Sequence, residues 1–159
     1  MRSWLRLLIF LAGAPASAAA VDLVQLSLEE LMEVEVRLVS RRPQRVAESA
    51  AAVTVITREE LRRAGVRTLP DALRLVPGFQ VGQVDANKWV VSARGFAGLF
   101  SNKLLVLIDG RSVYTPLFAG VFWESQHVLF EDVDRIEVIR GPGGTLWGTN
   151  SVNGIVNVV

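Results

Sequence analysis

The sequence predicts an α+β fold, with a small mixed β-sheet, about two helices and long loops. The first observation is the continuous apolar run Leu104–Ile108, which is typical of a strand buried on both faces. Asp109-Gly110 follows it directly and is the strongest local signal for a β-hairpin. The third observation is a pair of capped helical segments, which begin after Thr57 and Thr68. Half of the 159 residues are hydrophobic, which is enough for the core of one domain.

The first strand and the first helix are predicted by adjacent signals. Residues 53–56 are mostly β-branched and favour a strand. Thr57 is followed three positions later by Glu60, which is the capping-box pattern at the start of a helix. Gly65 is a typical residue at which a helix stops. We therefore expect a strand that leads directly into a short helix.

A second helix is predicted between Thr68, its N-cap, and Pro77-Gly78, where it ends. Its apolar residues recur at i, i+3, i+4 and i+7, and this spacing places them on one face. Residues 79–81 and 89–96 are extended in character and predict two further strands. The order strand, helix, helix, strand is thus expected before the buried strand.

The C-terminal segment predicts a strand, a glycine-rich turn and a second strand. Residues 136–139 are rich in β-branched side chains and end before a Gly-Pro pair, where a sheet ladder does not easily continue. Residues 155–159 resume strand composition. The glycines that we expect to shape the turn are Gly141, Gly143, Gly144 and Gly148.

Residues 117–123 form an apolar stretch between the predicted hairpin and the C-terminal segment. We expect it to be a loop in which Phe118, Phe122 and Trp123 are exposed or half-buried. An apolar loop of this kind is typical of a surface that meets another structure.

Composition argues against several classes of function. The 17 basic and 16 acidic residues nearly balance, so no basic surface for nucleic acid is expected. There is no cysteine, and His127 is the single histidine, so we expect no metal site. The glycine-rich turn lacks the lysine of a phosphate-binding loop. Nothing in the sequence indicates an enzyme, and we expect no cofactor.

The N-terminus has the make-up of a secretory signal peptide over residues 1–20. Arg2 and Arg6 give a basic start, and residues 5–12 form an apolar run that is too short to span a bilayer. Small residues around Ala18 and Ala20 offer cleavage sites. The alternative, a buried apolar helix, fits the leading arginines and the closing alanines less well.

Three stretches of the chain together resemble the plug domain of TonB-dependent outer-membrane receptors. They are L-P-D-A-L-R-L-V-P-G-F at residues 69–79, N-K-L-L-V-L-I-D-G-R at residues 102–111, and I-E-V-I-R-G-P-x-x-x-L-W-G-x-N-x-x-x-G-I-V-N-V at residues 136–158. The resemblance covers most of the chain after the predicted signal peptide. It divides the sequence into an N-terminal periplasmic extension at residues 21–45 and a plug at residues 46–159.

The resemblance implies a location, partners and a ligand. A plug fills the lumen of a 22-stranded outer-membrane β-barrel, and it contacts a small ligand such as a metal-siderophore complex. A TonB-like energy-coupling protein pulls on it from the periplasmic side. We expect no barrel strands within these 159 residues. The function is then either part of a transporter for a scarce nutrient, or a free periplasmic binding or signalling module with the same fold.

The resemblance also implies a segment that pairs with the energy-coupling protein by strand addition. The matching position, just before the plug, is occupied by Val36, Arg37, Leu38 and Val39. Arg37 departs from the usual apolar run of this segment. The alternative is that these residues form an edge strand or a linker.

Three charged residues in or beside apolar strands need partners, because an unpaired charge there would be costly. They are Arg94, Glu137 and Arg140. In the resembled family the matching positions make charged contacts within the plug or with the barrel wall. Simple ion pairing inside one sheet is the alternative.

The predicted signal peptide gives a direct test. We expect cleavage after Ala18 or Ala20 and delivery to the periplasm when the full chain is expressed in a Gram-negative host. N-terminal sequencing of the exported protein measures the new terminus. An intact Met1 on a cytoplasmic protein would contradict the prediction.

Overall fold

The computed structural model describes residues 35–36, 44–45 and 51–159. The predicted signal peptide, and all of the predicted extension except its two short strands, lie outside these ranges. The strands are β1 (Glu35–Val36), β2 (Gln44–Arg45), β3 (Ala52–Thr57), β4 (Phe79–Gln83), β5 (Trp89–Ala93), β6 (Leu104–Ile108), β7 (Arg111–Ser112), β8 (Arg135–Arg140) and β9 (Gly154–Val158). The helices are α1 (Arg58–Ala64), α2 (Leu69–Leu73) and α3 (Gly144–Trp147), with one 3₁₀ turn at Trp123–Ser125.

Five strands form a mixed sheet in the order β3-β8-β9-β6-β7. Adjacent strands in this sheet are antiparallel, except for β6 and β9, which run parallel. Strands β4 and β5 form a separate antiparallel hairpin, and β1 pairs with β2. The predicted small mixed sheet is confirmed.

The main core lies on one face of the five-stranded sheet, which we call the helix-side face. Helices α1 and α2 and the β4–β5 hairpin cover it with buried side chains, among them Leu61, Leu73 and Val91. The sheet residues in this core are Ile56, Leu104, Val106, Ile136, Val138, Val156 and Val158. The opposite face carries a smaller buried cluster of Leu105, Leu107, Ile139 and Ile155. Because both faces bury side chains, β6 is the continuous apolar strand that the sequence predicted.

Helix α1 begins and ends as the sequence predicts. The Glu60 N–H donates to the Thr57 hydroxyl at 3.2 Å, and the Thr57 N–H donates to the Glu60 carboxylate at 2.8 Å. This reciprocal pair satisfies two donors that a helix start leaves without partners. Gly65 ends the helix in the left-handed conformation, with φ of 61°.

Helix α2 begins at the predicted cap, where the Asp71 N–H donates to the Thr68 hydroxyl at 3.3 Å. It ends at Leu73, three residues before the predicted end. The chain continues in tighter i→i+3 turns, in which the Val76 N–H donates to the Leu73 carbonyl at 3.2 Å. The following Pro77 explains the change, because the residue before a proline is disfavoured in the α conformation.

The remaining local predictions have two outcomes. Asp109 and Gly110 both have positive φ, 49° and 75°, which is the geometry of a tight two-residue hairpin turn. The pairing of Ile108 with Arg111 across this turn confirms the predicted hairpin. The expected exposure of Trp123 is wrong, because its side chain joins the main core and is 6% exposed.

A close backbone contact at the start of β9 gives a stability prediction. A Cβ atom added to Gly154 would lie 2.6 Å from the carbonyl oxygen of Ile139 and 3.2 Å from a methyl of Leu104. We expect Gly154→Ala to lower the free energy of unfolding by about 1–3 kcal/mol, because the backbone of β8 must move. Urea unfolding followed by circular dichroism measures this change.

The matched control is Gly82→Ala in β4, where an added Cβ meets no atom within 4 Å. We expect this variant to be neutral or more stable by roughly 0.5–1 kcal/mol, since alanine loses less backbone entropy on folding. Equal unfolding midpoints for the two variants would contradict the close packing of β8 against β9.

Candidate functional site

The three predicted charges do not form one cluster around a single strand. Glu137 and Arg140 lie three positions apart on β8, so their side chains leave opposite faces of the sheet. Arg94 follows directly after β5, at the end of the β4–β5 hairpin. The structure therefore separates the buried carboxylate from the two arginines.

Glu137 is fully buried and is held by an arginine on its own strand. The Arg135 guanidinium places Nε and Nη2 each 2.9 Å from Oε1 of Glu137. Its Nη1 lies 2.7 Å from the carboxylate of Asp134. Charge-assisted hydrogen bonds of this kind are among the stronger hydrogen bonds in proteins. The Arg135–Glu137 pair thus satisfies a charge that would otherwise be costly in the sheet.

Arg135 is a residue that the sequence reasoning missed. Residues two positions apart on a strand share a face, and this spacing alone would have pointed from Glu137 to Arg135. The β-branched pattern that predicts this strand covers residues 136–139 only, and Arg135 lies just before it. Asn157, which stands opposite Glu137 on β9, was also missed, and its side-chain oxygen is buried without a hydrogen-bond partner.

Arg140 and Arg94 both approach the backbone where β8 ends. The Arg140 Nη1 donates to the carbonyl of Pro77 at 3.1 Å, and its Nε is buried without a partner. The Arg94 guanidinium lies 3.9–4.0 Å from the position that a Cβ on Gly141 would take. Within the described part of the chain, neither arginine forms an ion pair with a carboxylate. Each guanidinium group therefore lies against backbone without a carboxylate partner in the described residues.

The predicted glycine-rich turn contains one turn of helix, α3, between its outer glycines. Gly141 has φ of 149°, and its N–H donates to the Asn153 carbonyl at 3.0 Å. At Gly143 a Cβ would lie 2.4 Å from a methyl of Ile155, so a larger residue there would have to displace that buried side chain. Gly144 begins α3 and Gly148 follows its last residue. The turn is thus a close-packed connection between β8 and β9, and α3 is a helix that the sequence did not predict.

Two loops expose aromatic side chains on what we call the apolar loop surface. Phe96 is 69% exposed, Phe100 is 63% exposed and Leu117 is 80% exposed. The rings of Phe100, Phe118 and Phe122 form a chain of edge-to-face contacts, with centroids 5.1 and 4.9 Å apart. A cluster of this size on a surface indicates contact with another structure or with a ligand.

The predicted coupling segment lies partly within the described residues. Val36 belongs to β1 and pairs with Gln44 of β2. Arg37, Leu38 and Val39 lie outside the described ranges. Strand character at Val36 is compatible with a segment that pairs by strand addition.

The described residues hold neither a membrane-spanning helix nor a metal-binding cluster. Among these residues, no helix combines the length and the apolar character needed to cross a bilayer. In the same residues, no three or more His, Cys, Asp or Glu side chains lie together so that they could hold a metal ion.

The arrangement of one mixed sheet, two capped helices and a glycine-rich return into the last strand defines a class of fold. Residues 45–155 match the family described as the TonB-dependent Receptor Plug Domain. The pyoverdine outer membrane receptor FpvA from Pseudomonas aeruginosa superimposes with a TM-score of 0.62 at 23% identity, over 78% of this chain and 17% of that one. The ferric yersiniabactin uptake receptor FyuA from Yersinia pestis gives a TM-score of 0.54 at 26% identity, over 69% of this chain and 17% of that one.

Two relatives by sequence agree with this fold. The vitamin B12 transporter BtuB of Vibrio vulnificus is 34% identical over 122 residues, which are 76% of this chain and 19% of that protein. The iron-regulated outer membrane virulence protein of Vibrio cholerae is 34% identical over 120 residues, which make up 72% of this chain and 18% of that protein. The chain therefore belongs to the plug domain family of TonB-dependent receptors. It spans about a fifth of the length of these relatives.

The Arg135–Glu137 pair gives a prediction for stability. Arg135→Met removes the guanidinium that contacts the fully buried Glu137 carboxylate at 2.9 Å, and we expect a loss of about 3 kcal/mol in the free energy of unfolding. The double variant Arg135→Met/Glu137→Met should recover most of this loss, since it also removes the buried Glu137 carboxylate. Urea unfolding of the three proteins measures both changes.

The control is Arg62→Met, which breaks an exposed ion pair with Glu59 on α1. We expect this control to lose less than about 1 kcal/mol, because exposed pairs are weak. If Arg135→Met were no more destabilising than Arg62→Met, the pair would not stabilise the sheet.

Proposed function

We propose that this chain is the plug of an outer-membrane transporter that imports a scarce nutrient, such as an iron-siderophore complex or vitamin B12. The observation that carries the proposal is the plug-family match over nearly all of the described fold, with relatives named as a transporter and an outer-membrane protein. In this function the domain lies inside a 22-stranded barrel. It closes the lumen until an energy-coupling protein shifts it.

Arg94 and Arg140 are the residues that we assign to contact with the barrel wall. The Arg94 guanidinium lies near Gly141 and that of Arg140 donates to the Pro77 carbonyl, and neither has a carboxylate partner in the described residues. A wall that supplies carboxylates at this position would form charge-assisted pairs shielded from water. Such pairs fix the orientation of the plug in the lumen and still break when one partner moves.

The apolar loop surface is the part of the domain that we assign to the ligand and the inner wall. Phe96, Phe100 and Leu117 expose apolar area that an isolated soluble domain normally buries. The edge-to-face contacts of Phe118 with its neighbours keep these loops together as one surface. A large nutrient that enters from outside would meet this surface before any passage opens.

Coupling to the energy source is assigned to Val36, Arg37, Leu38 and Val39. These residues lie just before the matched plug region, which begins at residue 45. Strand addition needs only one edge of a strand for pairing, and it works with a short segment. A TonB-like protein that binds here could pull on the plug from the periplasmic side.

A chimera tests the proposal. Residues 21–159 replace the plug of the related vitamin B12 transporter in a host that lacks its own transporter. We expect the chimera to close the barrel, so that sensitivity to a large antibiotic falls well below that of the plugless barrel. Arg94→Ala/Arg140→Ala should leak, because two charge-assisted contacts worth about 1–3 kcal/mol each are lost. The control Arg63→Ala changes an exposed arginine on α1 and should stay closed.

Coupling is tested separately in the same chimera. Leu38→Pro removes a backbone donor from the proposed coupling strand, so energy-dependent uptake should fall while the barrel stays closed. A chimera that leaks as much as the plugless barrel would contradict the plug function. Unchanged uptake in Leu38→Pro would contradict only the assignment of the coupling segment.

A further inference from the structure

A cleft with a volume of about 340 Å³ opens between three segments of the fold. One side is the α1–α2 connection at Arg67 and Thr68, and another is the start of β5 at Trp89. The third side is formed by residues 123–129. The volume is at the lower end of the range for small-molecule sites, so the cleft suits a ligand about the size of one amino acid.

The apolar residues that line this cleft are Trp89, Trp123, Val128 and Leu129. Trp123 is 6% exposed and belongs to the main core, so its ring is fixed by packing. Trp89 is half-buried, and the guanidinium of Arg74 lies 5.4 Å from its ring centroid. Fixed aromatic walls favour a flat apolar group, because such a group gains contact area without reorganising the protein.

The cleft also carries one side chain of each charge that makes no direct ion pair in the described residues. Arg67 and Glu124 both line it, and within the described residues neither side chain forms an ion pair or a hydrogen bond. The hydrogen bond to Asp85, and more weakly the charge of Glu124, raise the pKa of Lys88. Lys88 is paired with Asp85 at 2.9 Å and acts on Glu124 only through the longer-range attraction of their charges.

Two polar side chains of the lining are held in place by their own hydrogen bonds. The Thr68 hydroxyl donates to the Asp71 carboxylate at 2.7 Å. The Gln126 amide donates to the Phe122 carbonyl at 3.0 Å. The cleft is therefore largely preformed, and binding would order few side chains.

We infer that this cleft binds a small zwitterion with a planar apolar side chain, such as a free aromatic amino acid. The ring lies against Trp89 and Trp123, the carboxylate pairs with Arg67, and the ammonium group pairs with Glu124. A ligand with both charges leaves neither protein charge without a partner, whereas a ligand with one charge leaves the other unmatched. The inference is independent of the barrel and of the coupling protein.

The test is an NMR titration of the full chain with four probes. L-Tryptophan has every proposed group, tryptamine lacks the carboxylate, indole-3-propionate lacks the ammonium group, and L-leucine lacks the ring. The observed signals are the indole N–H groups of Trp89 and Trp123, assigned by Trp→Phe variants. We expect L-tryptophan to bind on the order of tenfold more tightly than each of the other three.

Two charge variants identify the residues. Arg67→Gln should bring the affinity of L-tryptophan down to that of tryptamine, and Glu124→Gln should bring it down to that of indole-3-propionate. Arg63→Gln, an exposed arginine on α1 outside the cleft, is the matched control and should leave all affinities unchanged. Circular dichroism checks that each variant is folded.

Three results would overturn the inference. The first is the absence of any shift of the Trp89 and Trp123 signals with L-tryptophan. The second is equal affinity for L-tryptophan and tryptamine in the unmodified chain. The third is an Arg67→Gln or Glu124→Gln variant that is folded and binds L-tryptophan as tightly as the Arg63→Gln control does.

Discussion

The five-stranded sheet depends on its last strand, β9, because this strand pairs with β8 on one side and with β6 on the other. Without β9 the β3–β8 pair and the β6–β7 hairpin would share no ladder. Ile155 and Val156 are fully buried on opposite faces, so the same strand completes both apolar clusters. The tight packing of Gly143 under Ile155 follows from this position, since the chain must leave β8 and return directly beside it.

The same arrangement explains why charges occur in the middle of the fold. β8 has neighbours on both sides, so its backbone groups are used by the two ladders and a charge on it must be satisfied by side chains or by backbone above the sheet. Glu137 is satisfied by a side chain of its own strand, Arg135, two positions away. Arg140 is satisfied in part by backbone above the sheet, the Pro77 carbonyl, and its buried Nε has no partner. One strand thus carries both an internally satisfied pair and a cation that still has unused donor capacity.

Sequence signals of short range predicted the elements well, because the physics that they report is local. The capping box at Thr57 and the positive φ values at Asp109 and Gly110 need only a few neighbouring residues. The order of the strands could not be predicted, since the parallel pairing of β6 with β9 joins segments that are far apart in the chain. Burial of Trp123 in the main core likewise depends on segments that are distant in the chain. The partner of Glu137, in contrast, is local, and its spacing of two residues would have identified Arg135.

The exposed loops show a local cost that the described fold does not offset. Arg94, Phe96 and Ala119 have φ of 56°, 60° and 55°, a left-handed conformation that costs a residue other than glycine roughly 1–2 kcal/mol. Phe96 is largely exposed, so burial in this domain does not compensate for that cost. Such strain persists where the surface has a use that a relaxed loop would not serve. The strained residues lie in the segments that carry Arg94 and the apolar loop surface. These are the parts that we assign to contact with the barrel wall and the ligand.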